Sequence, residues 1–130
     1  MNKTLIAAAL AALCAAPAFA DDDVMASFYG NTVVSTGGQF TIRTHYRPDH
    51  TFGFVGSMMF MRRTFKGTWT LDGKGDICRT YIGNQPPDTP NPSCAPIVAR
   101  KVGDIWKSQD GKRTFTLKAG VQPKFLSYPP

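Results

Sequence analysis

The sequence predicts an all-β fold, a small antiparallel up-and-down barrel of about eight strands carrying one disulfide. Three observations predict it. Short segments of alternating apolar and polar residues recur at intervals of about ten, separated by Gly, Pro, Asn and Asp. All nine acidic residues are Asp and none is Glu; Asp forms helix poorly, whereas the abundant Thr, Phe, Tyr and Val suit a pleated surface. No segment sustains a period of 3.6 residues, and there is no internal repeat.

Residues 1–20 read as an export signal. Lys3 provides a positive start, Leu5 to Ala16 is apolar, and Ala18-Phe19-Ala20 is a small-residue cleavage site ahead of Asp21-Asp22-Asp23. The apolar run falls short of the ~20 residues that span a bilayer, so no transmembrane anchor is expected. Cleavage at Ala20 would place the domain, residues 21–130, in the periplasm or outside the cell. It would also remove Lys3, and with it one unit of the +6 formal charge. Cys14 would leave too. A lipidated cysteine wants a small residue before it, and Leu13 stands there instead. Cys78 and Cys94 remain as an even pair, which reads as a structural disulfide in an exported protein. Its loop spans 16 positions, for an entropic gain of roughly 3 kcal/mol.

Strands are expected near Ser27–Ser35 (opening on a short helical turn), Gln39–Arg47, Thr51–Gly56, Met58–Lys66 and Thr68–Leu71. Others follow near Asp76–Ile82, Ile97–Val102, Asp104–Ser108 and Arg113–Lys118. The second and third are joined by a loop whose length follows from side-chain phase. Phe40, Ile42 and Tyr46 share one face, with Arg43, His45 and Arg47 on the other. A three-residue loop, Pro48-Asp49-His50, pairs Tyr46 with Phe52 and keeps the apolar residues together; a two-residue loop flips them. It demands a left-handed residue near His50. Asp72-Gly73-Lys74-Gly75 closes another hairpin. Asp110-Gly111 closes the last and pairs Trp106 with Phe115. Residues 83–96 contain Pro86, Pro87, Pro90, Pro92 and Pro96, which cannot donate to a ladder, so this stretch is expected to be a loop. It serves either as a functional rim or as a crossover tethered by Cys94. Closing the strands into a barrel would remove their edges and leave room for side chains or one small ligand.

The residues set out a binding site more readily than a catalytic one. Tyr46, Phe52, Phe54, Met58, Phe60 and Trp69 are the candidate apolar lining, and Arg43, His45 and Arg47 are candidates for an anionic head group. His45, Asp49 and His50 invite a metal, but the flanking arginines oppose it and no third ligand is evident; neither metal nor cofactor is expected. No G-x-S-x-G elbow exists. Ser57 and His45 are not forced together by spacing, so a small enzyme is the second alternative. Positive charge is scattered, densest at Arg62, Arg63 and Lys66. Without a basic stripe interleaved with aromatics, and given export, nucleic acid is not an expected partner. A solvated surface, or attraction to anionic lipid or acidic glycans, accounts for it.

The run Tyr29-Gly30-Asn31-Thr32, then Tyr46-x-Pro48-Asp49-x-Thr51, Gly67-Thr68-Trp69, Ile77-Cys78 and Gly111-x-x-Thr114-Phe115 resembles a group of small exported proteobacterial domains described as lipocalin-like. The resemblance covers nearly all of the chain after residue 20. It implies a short β-barrel of mostly unassigned function, with no shared catalytic residues; His50 stands where a turn glycine is more typical. The resulting expectation is an exported β-barrel that binds a small apolar or amphipathic molecule. The first alternative is a protein–protein module, such as a hydrolase inhibitor or immunity-type protein, acting through loop 83–96.

Overall fold

Alternation dominates the chain because its interior is one concave sheet. The computed structural model describes residues 21–122; the signal and Cys14 readings lie outside the described residues. After a five-residue helix α1 (Asp21–Met25), eight strands follow: β1 (Thr32–Gly37), β2 (Phe40–Tyr46), β3 (Thr51–Met58), β4 (Met61–Leu71), β5 (Asp76–Tyr81), β6 (Ser93–Pro96), β7 (Ile105–Lys107) and β8 (Thr114–Lys118). All ladders are antiparallel, in the order β6-β5-β4-β3-β2-β1-β8-β7. This is the connectivity of an up-and-down barrel, with β8 returning to β1. Among the described residues no ladder joins β6 to β7. The sheet curls into a half-barrel with an open seam, rather than the closed barrel that strand count alone suggested.

The seam opens where a strand was expected. Residues 97–102 form no ladder strand: Ile97 N–H donates to the Gly75 carbonyl (2.9 Å), and the chain then turns through a 2.9 Å bond from Asp104 N–H to the Lys101 carbonyl. Ile97 and Val98 are adjacent apolar residues without alternation, and Val98 and Val102 are both exposed, so the segment has no single face to bury. Conversely, Ser93–Pro96, expected within the loop, forms β6 against β5, with Cys78 opposite Cys94. Those two residues form the disulfide, Cα atoms 4.0 Å apart. Asn91 extends the match, its side chain accepting from Tyr81 N–H (2.9 Å) and donating to the Tyr81 carbonyl (3.3 Å). An amide side chain thus satisfies the edge of β5 where the prolines cannot.

Two further boundaries differ. β4 runs unbroken through Gly67, which sequence reading treated as a break. Gly67 faces Phe52 on one side and Tyr81 on the other; an added Cβ would collide with the Thr80 backbone carbonyl and lie 2.9 Å from the Phe52 ring. Its lack of a side chain permits close approach in mid-strand. The strand expected at Met58–Lys66 is instead split by a hairpin: Met58 pairs with Met61, leaving Met59 and Phe60 as the turn. Met59 takes a φ of 51°, a left-handed conformation that apolar residues rarely signal.

Elsewhere phase and register agree. Tyr46 pairs with Phe52, His50 has a φ of 67°, and Arg47 N–H bonds the Thr51 carbonyl at 2.9 Å across the three-residue loop. The His50 ring stacks on Trp69 at 4.1 Å, a contact glycine would not offer. Trp106 pairs with Phe115, rings stacked at 5.6 Å. The helical opening extends from α1 by turn bonds from Phe28 and Tyr29 N–H to the Met25 carbonyl. It drops Met25 and Phe28 into one end of the concave face, beside Phe52, Trp69 and Leu117. Full burial of such side chains contributes about 1.5–3 kcal/mol each, which makes this plug part of the core.

Candidate functional site

The plug and the open seam leave a cavity of about 520 Å³ on the concave side. Its floor includes Phe28, Val33, Ile42 and Tyr46; the β5–β6 edge contributes Ile77, Arg79 and Ala95, and the opposite edge Trp106, Arg113 and Phe115. These positions converge because cross-strand partners on one pleat share a face: Val33 lies opposite Thr44, Thr44 opposite Phe54, and Trp69 opposite Arg79.

Arg79 is the notable charge. It is partly buried between Ile77 and Tyr81 on the inward face of β5. Its guanidinium is influenced by the Tyr46 side chain and stands 5.9 Å from the Phe52 ring centroid. Burial disfavours its charge, but the Tyr46 and Tyr81 oxygens outweigh that and hold its pKa above the ordinary arginine value. Burial likewise pushes the Tyr81 phenol up, against the opposing pull of Arg79. Arg100, on the ladderless segment, lies 4.3 Å over the Trp106 ring, a cation–π contact that positions it on the same rim.

Arg113 has a different task. Its Nε donates to Ser35 Oγ (2.6 Å), Nη1 to the Gly37 carbonyl (2.9 Å), and Nη2 to the Ser35 and Phe40 carbonyls (3.0 Å each). This fork clamps β8 to the β1–β2 turn and consumes most of its donors. The acidic lining residue, Asp110, is engaged by Ser108 Oγ (2.6 Å) and Lys112 N–H (2.9 Å), which hold its carboxyl below the usual range, the hydroxyl most strongly.

Of the lining expected from sequence, Tyr46 lies on the cavity wall. Phe52, Phe54 and Trp69 share its face but are packed into the core, with Trp69 and Phe52 fully buried; they support the wall from behind. Met58 ends β3, and Phe60 is 99% exposed at the hairpin tip, away from the lining. The expected head-group residues occupy the convex side. Arg43 lines a separate depression of about 280 Å³ with Val55, Ser57 and Arg62. His45 is buried, its Nδ1 3.1 Å from the Asn31 carbonyl. Arg47 Nη1 donates to Thr51 Oγ1 at 3.2 Å, and its carbonyl accepts from Trp69 Nε1 at 3.1 Å. Ser57 Oγ bonds the Thr41 carbonyl at 3.4 Å. The structure therefore does not bring Arg43, His45 and Arg47 to the concave cavity.

Arg79 and Arg100 were not identified from sequence. Arg79 was legible in phase: Ile77 and Tyr81 mark the inward face of β5, and Arg79 sits between them. Arg100 was not, because its segment has no strand period from which to read a direction.

No protein-family model, curated protein or solved structure significantly matches this chain. Among the described residues no group of three or more His, Cys, Asp or Glu side chains converges as metal ligands would. No described helix is long and apolar enough to cross a membrane. The disulfide is of a kind that forms and persists in oxidising compartments.

Proposed function

We infer that this is an exported binding protein whose cavity takes a small amphipathic molecule with an anionic head group. The observation that carries the reading is Arg79, a partly buried guanidinium on an apolar wall whose contacts are phenolic and aromatic rather than carboxylate. The Tyr46 and Tyr81 phenols that offset its burial are neutral near pH 7 and bring no full counter-charge, whereas a guanidinium is built to receive carboxylate or phosphate in a fork. An anionic group at Arg79 would supply that charge while its apolar body lay along Ile42, Ile77 and Trp106. The cavity volume of about 520 Å³ falls within the usual range for small-molecule sites. The leader-like residues 1–20 and the disulfide support the periplasm or the exterior as its location, and the lipocalin-like resemblance accords with carriage of a small ligand.

The test is a thermal melt with dodecanoate and, separately, dodecanol. Dodecanoate at a hundredfold excess over its Kd should stabilise the native state by about 2.7 kcal/mol, and dodecanol should act more weakly. Arg79→Met should bind the two alike while keeping the wild-type far-ultraviolet spectrum. Absence of any shift across acids, alcohols and aromatic carboxylates, or a full dodecanoate shift in Arg79→Met, would refute the reading.

A further inference from the structure

We propose that the β3–β4 hairpin tip docks on the surface of an anionic lipid bilayer. The tip is the most exposed apolar feature of the described residues: Phe60 is 99% exposed, Met59 89% and Met61 55%. Phe40, 50% exposed, begins β2, where the Thr41–Ser57 pairing sets it level with Met58. These side chains are not needed to make the turn. Met59 holds a φ of 51°, where glycine would be unstrained, so the tip bears strain and exposure together.

Charge selects the occupant. Arg62 and Arg63 follow the tip directly and are exposed, and Lys66 follows on the same strand. No acidic residue lies anywhere between Asp49 and Asp72, so the whole hairpin is purely cationic. The turns holding Asp49 and Asp72 close the opposite end of β3 and β4. Along β3 and β4, then, the acidic residues stand beyond one end and the Arg62-Arg63 pair beside the tip at the other. A convex apolar point with a basic collar suits a bilayer interface: Phe and Met enter the acyl boundary while arginine heads stay among lipid phosphates. A second copy docked tip to tip would bring the Arg62-Arg63 collars together in repulsion.

The experiment is flotation of the purified exported form with vesicles of phosphatidylcholine alone or mixed with phosphatidylglycerol, at low and high salt. Binding is expected to the phosphatidylglycerol vesicles and to fade at high salt. Arg62→Ser with Arg63→Ser should lower partitioning roughly thirtyfold, and Phe60→Asp should abolish it. Both variants change exposed side chains and should melt like wild type. Equal binding to both vesicle types, no binding to either, or undiminished binding by Phe60→Asp would overturn the proposal. So would a concentration-dependent dimer that Phe60→Asp dissolves, since the tip would then serve a second copy. Dodecanoate-induced stabilisation should survive Phe60→Asp, which keeps the cavity and the tip separately testable.

Discussion

Gly67→Ala sets two physical effects of opposite sign against each other. Backbone entropy favours the substitution, because glycine in mid-strand is destabilising by roughly 0.5–1 kcal/mol relative to alanine. Sterics oppose it: the new methyl would meet the Thr80 backbone carbonyl and, at 2.9 Å, the ring of the fully buried Phe52. Neither obstacle is the free end of a flexible side chain. Relief requires β4 and β5 to part across the Gly67–Tyr81 pair, and overpacking of this kind typically costs 1–3 kcal/mol. Because backbone must move, the upper part of that range applies, and the net effect should be a loss of about 2 kcal/mol. Gly56→Ala is the matched control. It lies in β3, its added Cβ would meet nothing closer than Phe54 Cε2 at 3.9 Å, and it should be neutral or stabilising by a few tenths of a kcal/mol. Urea denaturation of the three proteins measures the difference, with m unchanged if only native stability has shifted. A Gly67→Ala protein as stable as wild type, or more so, would show that the β4–β5 approach is not as close as described.

Two further outcomes follow from single features. Replacing Cys78 and Cys94 together with alanine should cost about 3 kcal/mol by the loop-entropy account for a separation of 16 residues. It should also weaken dodecanoate stabilisation by loosening β6, one wall of the cavity; denaturation midpoints with and without ligand check both. His45 has its pKa lowered, chiefly by burial, with the neighbouring Arg47 charge assisting against the Asn31 carbonyl bond. The unfolded chain therefore binds the proton more readily. This contribution is fully present above the ordinary histidine pKa near 6.5 and is lost as pH falls below it, with a slope of at most about 1.4 kcal/mol per pH unit. His45→Asn should remove that part of the pH dependence; an unaltered slope between about pH 5 and 7 would assign it elsewhere.

The three-residue loop at Pro48-Asp49-His50 was legible because a one-residue slip would have turned Phe52 and Phe54 outward. The Trp106–Phe115 pair was legible from Asp110-Gly111. In both, the information is local: side-chain phase on either side of a turn determines register. The hairpin at Met59-Phe60 was not legible, since no turn residue marks it and Met58, Phe60 and Met61 read as a continuous apolar strand. Gly67 was misleading for the opposite reason. It looks like punctuation, but its meaning lies in Phe52 and Thr80, residues distant in sequence that only the assembled sheet brings beside it.

The candidate site divides along the same line. That an apolar concave face would form from Tyr46, Phe52, Phe54 and Trp69 follows from alternation alone. Which of them would be solid core and which would face a cavity does not. The plug by Met25 and Phe28, and the failure of residues 97–102 to join the sheet, decided that. The choice of arginine turned on the same assembly. Arg43, His45 and Arg47 share a strand face, as their spacing dictates, but that face is the convex one. Arg79 reached the cavity because it lies on the inward face of β5, one strand in from the β6 edge of the open seam. The sequence by itself determined the all-β class, the disulfide partners and most registers, all of which depend on short-range periodicity and pairing. The tertiary structure alone decided closure, cavity and charge placement, because each depends on where distant strands stop and what packs between them.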